Sequence, residues 1–171
     1  NVHPSPLPKY RGCAPTFAAI KNMDGKTAVT LQEIGLGIDE GRIYSFLPID
    51  LNGDETTLSL EERVSQMVPQ FVLETLKNID TIDRVQQEGE ASYTAFITKE
   101  DGRIDWKREA KEIHALVRAC IPWPRAYGYL GEDKLLITGV YGTAFDSFPP
   151  STEEPGTVVG LEKGKGLKIA T

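Results

Sequence analysis

Residues 1–15 read NVHPSPLPKYRGCAP and contain the first candidate site. Asn1 and His3 are two positions apart, so an extended backbone places both side chains on the same face. Prolines at positions 4, 6 and 8 follow, and they stiffen the chain as it leaves this strand. We therefore predict that the pair lies at the carboxyl end of a strand, where open α/β sheets bind ligands.

A second segment, GLGIDEGRI at residues 35–43, supplies a carboxylate. Asp39 lies in a loop with three glycines in seven residues, where the backbone can approach a flat ligand closely. An amide, an imidazole and a carboxylate together suit the transfer of a carbonyl group, because they can bind the oxyanion, carry the proton and orient the imidazole. The spacing alone leaves another interpretation open, in which Asn1 caps a chain end, His3 lies on the surface and Asp39 is a turn residue.

Composition excludes several classes of protein. The chain has 171 residues, 40% of them hydrophobic and 26% charged, and no apolar run is long enough to cross a bilayer. This pattern is typical of a globular protein and excludes collagen-like, disordered and membrane-spanning chains. Two cysteines and two histidines at these spacings exclude a disulfide framework or a structural zinc site, which favours a reducing compartment. The net charge of −6 is uneven, with −9 on residues 32–94, and decides little about nucleic acid.

Hydrophobic periodicity divides the chain into two parts. In the first part we predict a helix at 15–22, strands around 29–32 and 43–49, and a long helix from Leu58 that Pro69 kinks or divides. Residues 81–98 are polar and are interpreted as a linker between units at 1–80 and 99–171.

The second unit is predicted to combine one helix with several short strands. The helix covers 105–119 with Asp105 as its N-cap, and the strands cover 127–130, 134–140, 156–161 and 166–170. The strands suggest a small barrel. Cys13, Trp106 and Trp123 are interpreted as packing residues rather than as functional ones.

The two opening segments resemble the signature of the folate-dependent formyltransferases, whose catalytic Asn, His and Asp occur in this order and at this spacing. RIDW at 103–106, PWPRAY at 122–127 and PGTVVG at 155–160 are similar to the methionyl-tRNA formyltransferases in particular. The resemblance implies an α/β fold, with the C-terminal half of a Rossmann-like catalytic domain followed by an incomplete OB-like β-barrel. It also implies an internal piece of a longer protein, which we expect to be inactive alone.

The resemblance further implies roles for single residues. His3 would accept the proton of the attacking amine, Asn1 would donate to the formyl oxygen and Asp39 would pair with His3. The formyl donor would be 10-formyltetrahydrofolate, bound without a metal by the backbone of the loop before Asp39. By the same likeness, the residues expected at the folate are Gly35, Leu36, Gly37 and Ile38, and those expected at RNA are Lys99, Arg118 and Arg125.

The implied acceptor is the α-amine of methionyl initiator tRNA, which is formylated for translation initiation. The protein would then work as a monomer with no membrane partner, in the bacterial cytoplasm or in a mitochondrial or plastid matrix. Three alternatives stay open: a formyltransferase acting on a nucleotide-linked amino sugar, a hydrolase of 10-formyltetrahydrofolate, and a chain that only binds. The catalytic triplet does not separate the first two from the tRNA enzyme.

Overall fold

The structure is a computed structural model that describes residues 1–143, 146–147 and 149–171. Its first part mixes short strands and two helices: β1 (Val2–His3), β2 (Arg11–Gly12), α1 (Pro15–Lys21), β3 (Lys26–Gln32), β4 (Ile43–Asp50) and α2 (Thr57–Lys77). Within these ranges no helix combines the length and the apolar character that a bilayer crossing needs.

The main sheet of this part is antiparallel and has the strand order β1, β3, β4. β3 and β4 form a hairpin in which Lys26 lies opposite Asp50. β1 pairs antiparallel with β3, so that His3 lies opposite Thr30. A hairpin and a returning strand thus surround His3 in the described residues. Among the named strands of the described ranges, one pair is parallel, and it joins β2 to a later strand.

Helix α2 is a single helix of 21 residues, so of the two predicted effects of Pro69, a kink or a division, the division is excluded. Thr56 caps its start: the Thr56 hydroxyl accepts from the Ser59 backbone N–H at 3.1 Å, and Ser59 Oγ accepts from the Thr56 backbone N–H at 2.9 Å. Buried side chains on both sides of the proline, Leu60 and Phe71, hold the two segments against the same core. Packing therefore outweighs the missing hydrogen bond at Pro69.

The predicted linker lies against the first part of the chain. It contains β5 (Tyr93–Thr94), which pairs parallel with β2. Val85 forms an isolated antiparallel bridge with Ile43. A 3₁₀ helix at Lys99–Gly102 follows. The pairing of β5 with β2 and the bridge from Val85 to Ile43 thus hold the predicted linker against the first part of the chain.

The last part contains one helix and two hairpins. These elements are α3 (Ala110–Ala119), β6 (Ala126–Leu130), β7 (Asp133–Ile137), β8 (Val158–Glu162) and β9 (Gly166–Ile169). α3 begins five residues later than predicted, because Asp105 Oδ1 accepts from the Lys107 backbone N–H and closes a local turn instead of capping the helix. The strands pair only as β6 with β7 and β8 with β9, so the described residues form no closed barrel.

Both parts of the chain share one hydrophobic core. α3 packs against α1, and the buried side chains of Ile113 and Val117 belong to the same cluster as Phe17 and Ile20. Polar contacts strengthen this junction: the Thr57 hydroxyl donates to the Ala119 carbonyl at 2.7 Å. Because α3 is buried against the first part, the two parts pack together, and the polar segment at 81–98 connects them along the surface.

The two tryptophans differ in their surroundings. Trp106 packs against the core and lies over Gly128 and Gly156, as expected for a packing residue. Trp123 lies between Pro122 and Pro124 and is 49% exposed, so the prediction that it packs in the core is wrong.

Candidate functional site

The loop between β3 and β4 brings Asp39 to Asn1. Asp39 Oδ1 accepts from Asn1 Nδ2 at 3.0 Å and from Gln32 Nε2 at 2.9 Å. Its other oxygen, Oδ2, accepts from the Gly12 backbone N–H at 2.8 Å. Three donors from separate stretches of sequence thus fix the position of this carboxylate.

His3 lies beside this carboxylate and is 5% exposed. Its Nε2 is 2.8 Å from the Tyr10 carbonyl oxygen, and its Nδ1 is 3.6 Å from Asp39 Oδ2. A carbonyl only accepts, so Nε2 carries a hydrogen, and the neutral ring keeps its lone pair on Nδ1. The structure therefore brings together Asn1, His3 and Asp39, with the basic nitrogen of His3 facing the carboxylate.

Tyr10 holds the imidazole through a backbone conformation with φ of 60°. Its side chain anchors that conformation, because the Tyr10 hydroxyl donates to Asp24 Oδ2 at 2.9 Å and accepts from Asn22 Nδ2 at 2.8 Å. Lys9 Nζ also reaches Asp24 at 2.9 Å. This hydrogen-bonded group fixes which nitrogen of His3 can accept a proton.

Sequence reasoning missed several supporting groups. Gln32 is 2% exposed at the end of β3, and a buried polar residue at the end of an apolar strand was the signal that could have revealed it. Gly12 has φ of 99°, and a Cβ there would overlap the Thr94 carbonyl, so its N–H reaches Asp39 on a backbone that glycine permits. The contact of the Tyr10 carbonyl with His3 could not be predicted from side-chain patterns, because the carbonyl is a backbone group.

The polar segment closes one side of the site. Arg84 forms an ion pair with Glu33, and the Tyr93 hydroxyl donates to Glu40 Oε1 at 2.9 Å. Gln87 Nε2 donates to the Asp39 carbonyl at 2.8 Å. Residues interpreted as a linker therefore contact the loop that carries the carboxylate.

The predicted folate loop is exposed. Leu36 has 111% relative exposure and Ile38 68%, and their neighbours Gly35 and Gly37 are exposed as well. A Cβ at Gly41 would overlap the Glu33 carbonyl, so the loop closes tightly at its base while its tip stays open. The backbone of residues 35–38 is thus accessible to a ligand beside Asp39.

The three predicted RNA contacts lie in different environments. Lys99 and Arg125 are exposed. Arg118 is 4% exposed; its Nη1 donates to the Glu55 carbonyl at 2.7 Å and its Nε donates to His114 Nδ1 at 3.1 Å. Burial lowers the pKa of the Arg118 guanidinium. Its location does not support a phosphate contact.

The two cysteines occupy opposite environments. Cys13 is exposed, which corrects the prediction of a buried packing residue. Cys120 is buried, and burial raises the pKa of its thiol to about 11. In the described ranges, His, Cys, Asp and Glu side chains form no group of three that could hold a metal ion.

Comparisons with known proteins identify relatives of the chain. The family model described as formyl transferase matches residues 1–76, and the model described as formyl transferase, C-terminal domain, matches residues 96–171. Curated relatives named methionyl-tRNA formyltransferase include one from Francisella philomiragia, 39% identical over 100% of this chain and 53% of the relative. Another from Marinobacter nauticus is 34% identical over 99% of this chain and 54% of the relative. The chain spans about half the length of these relatives.

Solved structures with the same fold include proteins with different names. An N-formyltransferase from Helicobacter canadensis, solved with folinic acid and dTDP-3-aminofucose, is 28% identical over 70% of this chain and 46% of its own, with a TM-score of 0.65. HypX from Aquifex aeolicus matches 99% of this chain and 30% of its own at 22% identity, with a TM-score of 0.73. The methionyl-tRNA formyltransferase from Clostridium thermocellum matches 85% of this chain and 63% of its own at 22% identity, with a TM-score of 0.65.

The fold is the mixed α/β fold of the formyltransferases. The two family models leave only residues 77–95 of the chain unmatched, and curated relatives align along its whole length. The predicted family is thereby confirmed, and the chain belongs to the formyl transferase family.

Proposed function

We propose that the protein carrying this chain transfers a formyl group from 10-formyltetrahydrofolate to the α-amine of methionyl initiator tRNA, which prepares this tRNA for translation initiation. The observation that carries the proposal is the cluster of Asn1, His3 and Asp39, in which an amide and an imidazole meet one carboxylate. The choice of acceptor is supported by the curated relatives, which are named methionyl-tRNA formyltransferase and align along the whole chain.

The cluster supplies the groups that formyl transfer needs. The amine nitrogen attacks the formyl carbon and forms the new C–N bond, while a proton leaves the amine for His3 Nδ1. One N–H of Asn1 Nδ2 is held by Asp39 Oδ1, so the second N–H is left to donate to the developing oxyanion. The intermediate then collapses: the bond from carbon to N10 breaks, N10 receives the proton, and tetrahydrofolate leaves.

Asp39 serves the charged form of His3. When Nδ1 takes the proton, the imidazolium lies beside a carboxylate whose nearest oxygen is 3.6 Å away. The three donors on Asp39, one at Oδ2 and two at Oδ1, keep this carboxylate in place without neutralising its charge. General base catalysis and charge stabilisation of this kind contribute about 10²-fold to 10⁴-fold each.

The folate donor is proposed to bind along the backbone of residues 35–38. Support comes from the exposed loop tip and from the 28% identical Helicobacter canadensis enzyme, whose structure contains folinic acid. A HypX structure with the same fold contains tetrahydrofolic acid. No metal takes part in the proposed reaction.

We further propose the division of the chain that the sequence predicted. Residues 1–80 would be the C-terminal half of a Rossmann-like catalytic domain, residues 81–98 the linker, and residues 99–171 part of an OB-like barrel to which the hairpins β6–β7 and β8–β9 contribute. Lys99 and Arg125 would contact tRNA phosphates, because both cations are exposed. The protein would act as a monomer, without a membrane partner, in the bacterial cytoplasm or in an organelle of bacterial origin.

A second candidate acceptor is a nucleotide-linked amino sugar. The observation that favours it is the similarity to the Helicobacter canadensis enzyme, solved with dTDP-3-aminofucose. The same three residues would catalyse this reaction, so the acceptor must be decided by experiment. Water as the acceptor would make the protein a hydrolase.

The test uses the full-length protein with 10-formyltetrahydrofolate and, separately, methionyl initiator tRNA or a dTDP-linked amino sugar. Mass spectrometry measures formylation of each acceptor and release of free formate. We expect formyl-methionyl-tRNA and no formylated sugar, and we expect His3→Ala to abolish the signal. Formylation of the sugar alone, or formate alone, would overturn the proposed acceptor while keeping the role of the three residues.

A further inference from the structure

We propose that Gln87 is a positioning residue for Asp39. The segment that joins the two parts of the chain would then hold the loop between β3 and β4 so that Asp39 stays beside His3. The inference rests on the proposed function, because it concerns the carboxylate that stabilises His3. Neither the family signature nor the spacing of the catalytic residues points to Gln87, which lies in the stretch that no family model matches.

The amide nitrogen of Gln87 contacts the loop on both sides of Glu40. Gln87 Nε2 donates to the Asp39 carbonyl and to the Gly41 carbonyl, both at 2.8 Å. It also lies 3.3 Å from Gln32 Oε1, while Gln32 Nε2 donates to Asp39 Oδ1. Gln87 thus reaches Asp39 twice, through the loop backbone and through the side chain of Gln32.

The amide oxygen of Gln87 faces a different partner. It accepts from Arg11 Nη2 at 2.7 Å and from Arg11 Nε at 3.2 Å. Arg11 Nη1 in turn donates to the Tyr93 hydroxyl at 2.8 Å. The guanidinium only donates and the loop carbonyls only accept, so the side chain between them must accept at one end and donate at the other. Among the charged and polar side chains of this length, glutamine meets both demands and glutamate does not.

The loop needs such support because of its backbone. Asp39 has φ of 53°, a left-handed conformation that disfavours most residues with a Cβ and that aspartate adopts mainly in turns. Loop residues 34–38, which precede Asp39, are exposed. The two hydrogen bonds from Gln87 brace the carbonyls on either side of the turn, so loss of the amide should let Asp39 drift relative to His3.

The first test compares Gln87→Glu with wild type in the full-length protein. We expect kcat to fall about 10-fold to 100-fold while KM for the folate and for the acceptor stays within about 3-fold, because small misplacement of a catalytic group affects mainly the transition state. Gln87→Ala, which removes the contacts without adding a charge, should reproduce this pattern. The matched control is Gln86→Glu, since Gln86 is the exposed neighbour, and its kcat should not change.

A double-mutant cycle with Asp39→Asn tests whether Gln87 acts through Asp39. In the Asp39→Asn protein, adding Gln87→Glu should lower kcat by less than 3-fold, since the group to be positioned is already lost. Equal fold losses in both backgrounds, or an increase of KM without loss of kcat, would overturn the proposal.

Hydrogen exchange gives a readout that does not depend on turnover. The Gly12 backbone N–H donates to Asp39 Oδ2, so faster exchange of this amide and of residues 33–41 in Gln87→Glu and Gln87→Ala reports release of the carboxylate. Unchanged exchange in both variants would overturn the proposal even if wild type proves inactive on every acceptor. Inactive wild type with the expected exchange pattern would instead overturn the proposed function alone.

Discussion

At the scale of single residues, Asp39 connects several separate stretches of the sequence. Asn1, Gly12 and Gln32 donate to its side chain, and Gln87 donates to its carbonyl. A spacing pattern could indicate Asn1, His3 and Asp39, because the first two share a strand face and the third follows a buried strand. Gln87 could not be predicted in the same way, since its role depends on how a polar segment returns to the sheet.

Replacing Asp39 by Asn removes the charge that stabilises protonated His3. One carboxylate oxygen also becomes an NH₂ group, which faces donors rather than acceptors. We expect kcat for formyl transfer to fall about 10²-fold to 10⁴-fold, with binding of the folate donor largely kept. Steady-state kinetics and folate titration check this. Asp83→Asn, at an exposed carboxylate, is the control, and equal activity of the two variants would exclude the proposed role of Asp39.

His114 predicts a pH dependence of stability. Burial and, to a smaller degree, the charge of Arg118 lower its pKa below the ordinary value of 6.5, although its hydrogen bond to the Tyr141 carbonyl and the nearby Asp146 act in the opposite sense. The unfolded chain therefore binds the proton more tightly than the folded chain. This contribution to stability is complete above pH 6.5 and is lost as the pH falls below it.

Urea unfolding of wild type and His114→Gln at about pH 7.5 and about pH 5.5 measures this contribution. We expect wild type to lose more unfolding free energy on acidification than the variant loses. Carboxylates titrate in both proteins, so the difference between the two isolates the histidine. A larger loss in the variant would contradict the lowered pKa of His114.

Replacement of Arg118 should lower stability, whereas replacement of Arg125 should weaken tRNA binding. Arg118→Ala leaves the Glu55 carbonyl without its guanidinium donor and should lower the free energy of unfolding by about 2–3 kcal/mol. Arg125→Ala removes an exposed cation and should change stability by less than about 0.5 kcal/mol while weakening tRNA binding. Urea melts and binding titrations at two salt concentrations compare them, and tight tRNA binding by Arg125→Ala would remove it from the interface.

At the scale of elements, α2 contains a proline that lowers its stability. Pro69 is exposed and cannot donate to the carbonyl one turn earlier. Pro69→Ala restores this donor and should raise the free energy of unfolding by about 1–3 kcal/mol. Thermal and urea melts measure it, with the exposed Gln66→Ala as control. A destabilised Pro69→Ala protein would show that the helix is bent at this point in a way that its packing requires.

The predicted elements were most accurate where local signals act alone. Pro15 marks the start of α1, and the alternating residues of β3 and β4 define a hairpin, so both could be found from the sequence. α3 begins at Ala110 because the Asp105 side chain closes a turn with the Lys107 backbone N–H. Aspartate is common both in such turns and as a helix N-cap, so the residue type did not decide between them. β6 pairs with β7 and β8 with β9 as two local hairpins, and the strand pattern alone did not show that the two hairpins stay separate in the described residues.

At the scale of the whole molecule, the shared core predicts cooperative unfolding. Ile113 and Val117 of α3 pack with Phe17 and Ile20, and the Leu58 backbone N–H donates to the Ile121 carbonyl at 3.0 Å. We expect the first part and α3 to unfold in one transition.

Two probes read the two parts separately. Tryptophan fluorescence follows Trp106 and Trp123, and hydrogen exchange in urea follows the amides of β3. Coincident midpoints are expected. A fluorescence midpoint at clearly lower urea than the loss of protection in β3 would show that the parts unfold independently.

The packing of α3 onto α1 also restricts how such proteins can be recombined. A chimera that exchanges acceptor specificity between relatives would naturally be cut in the polar stretch at 81–98, most of which neither family model matches. A crossover there separates Phe17 from Val117, and a crossover before Gln87 also separates Gln87 from Asp39, so the two parents must bring compatible surfaces at each separated pair. A crossover after Cys120 keeps both pairs in one parent, and chimeras joined there should be the ones that fold and turn over.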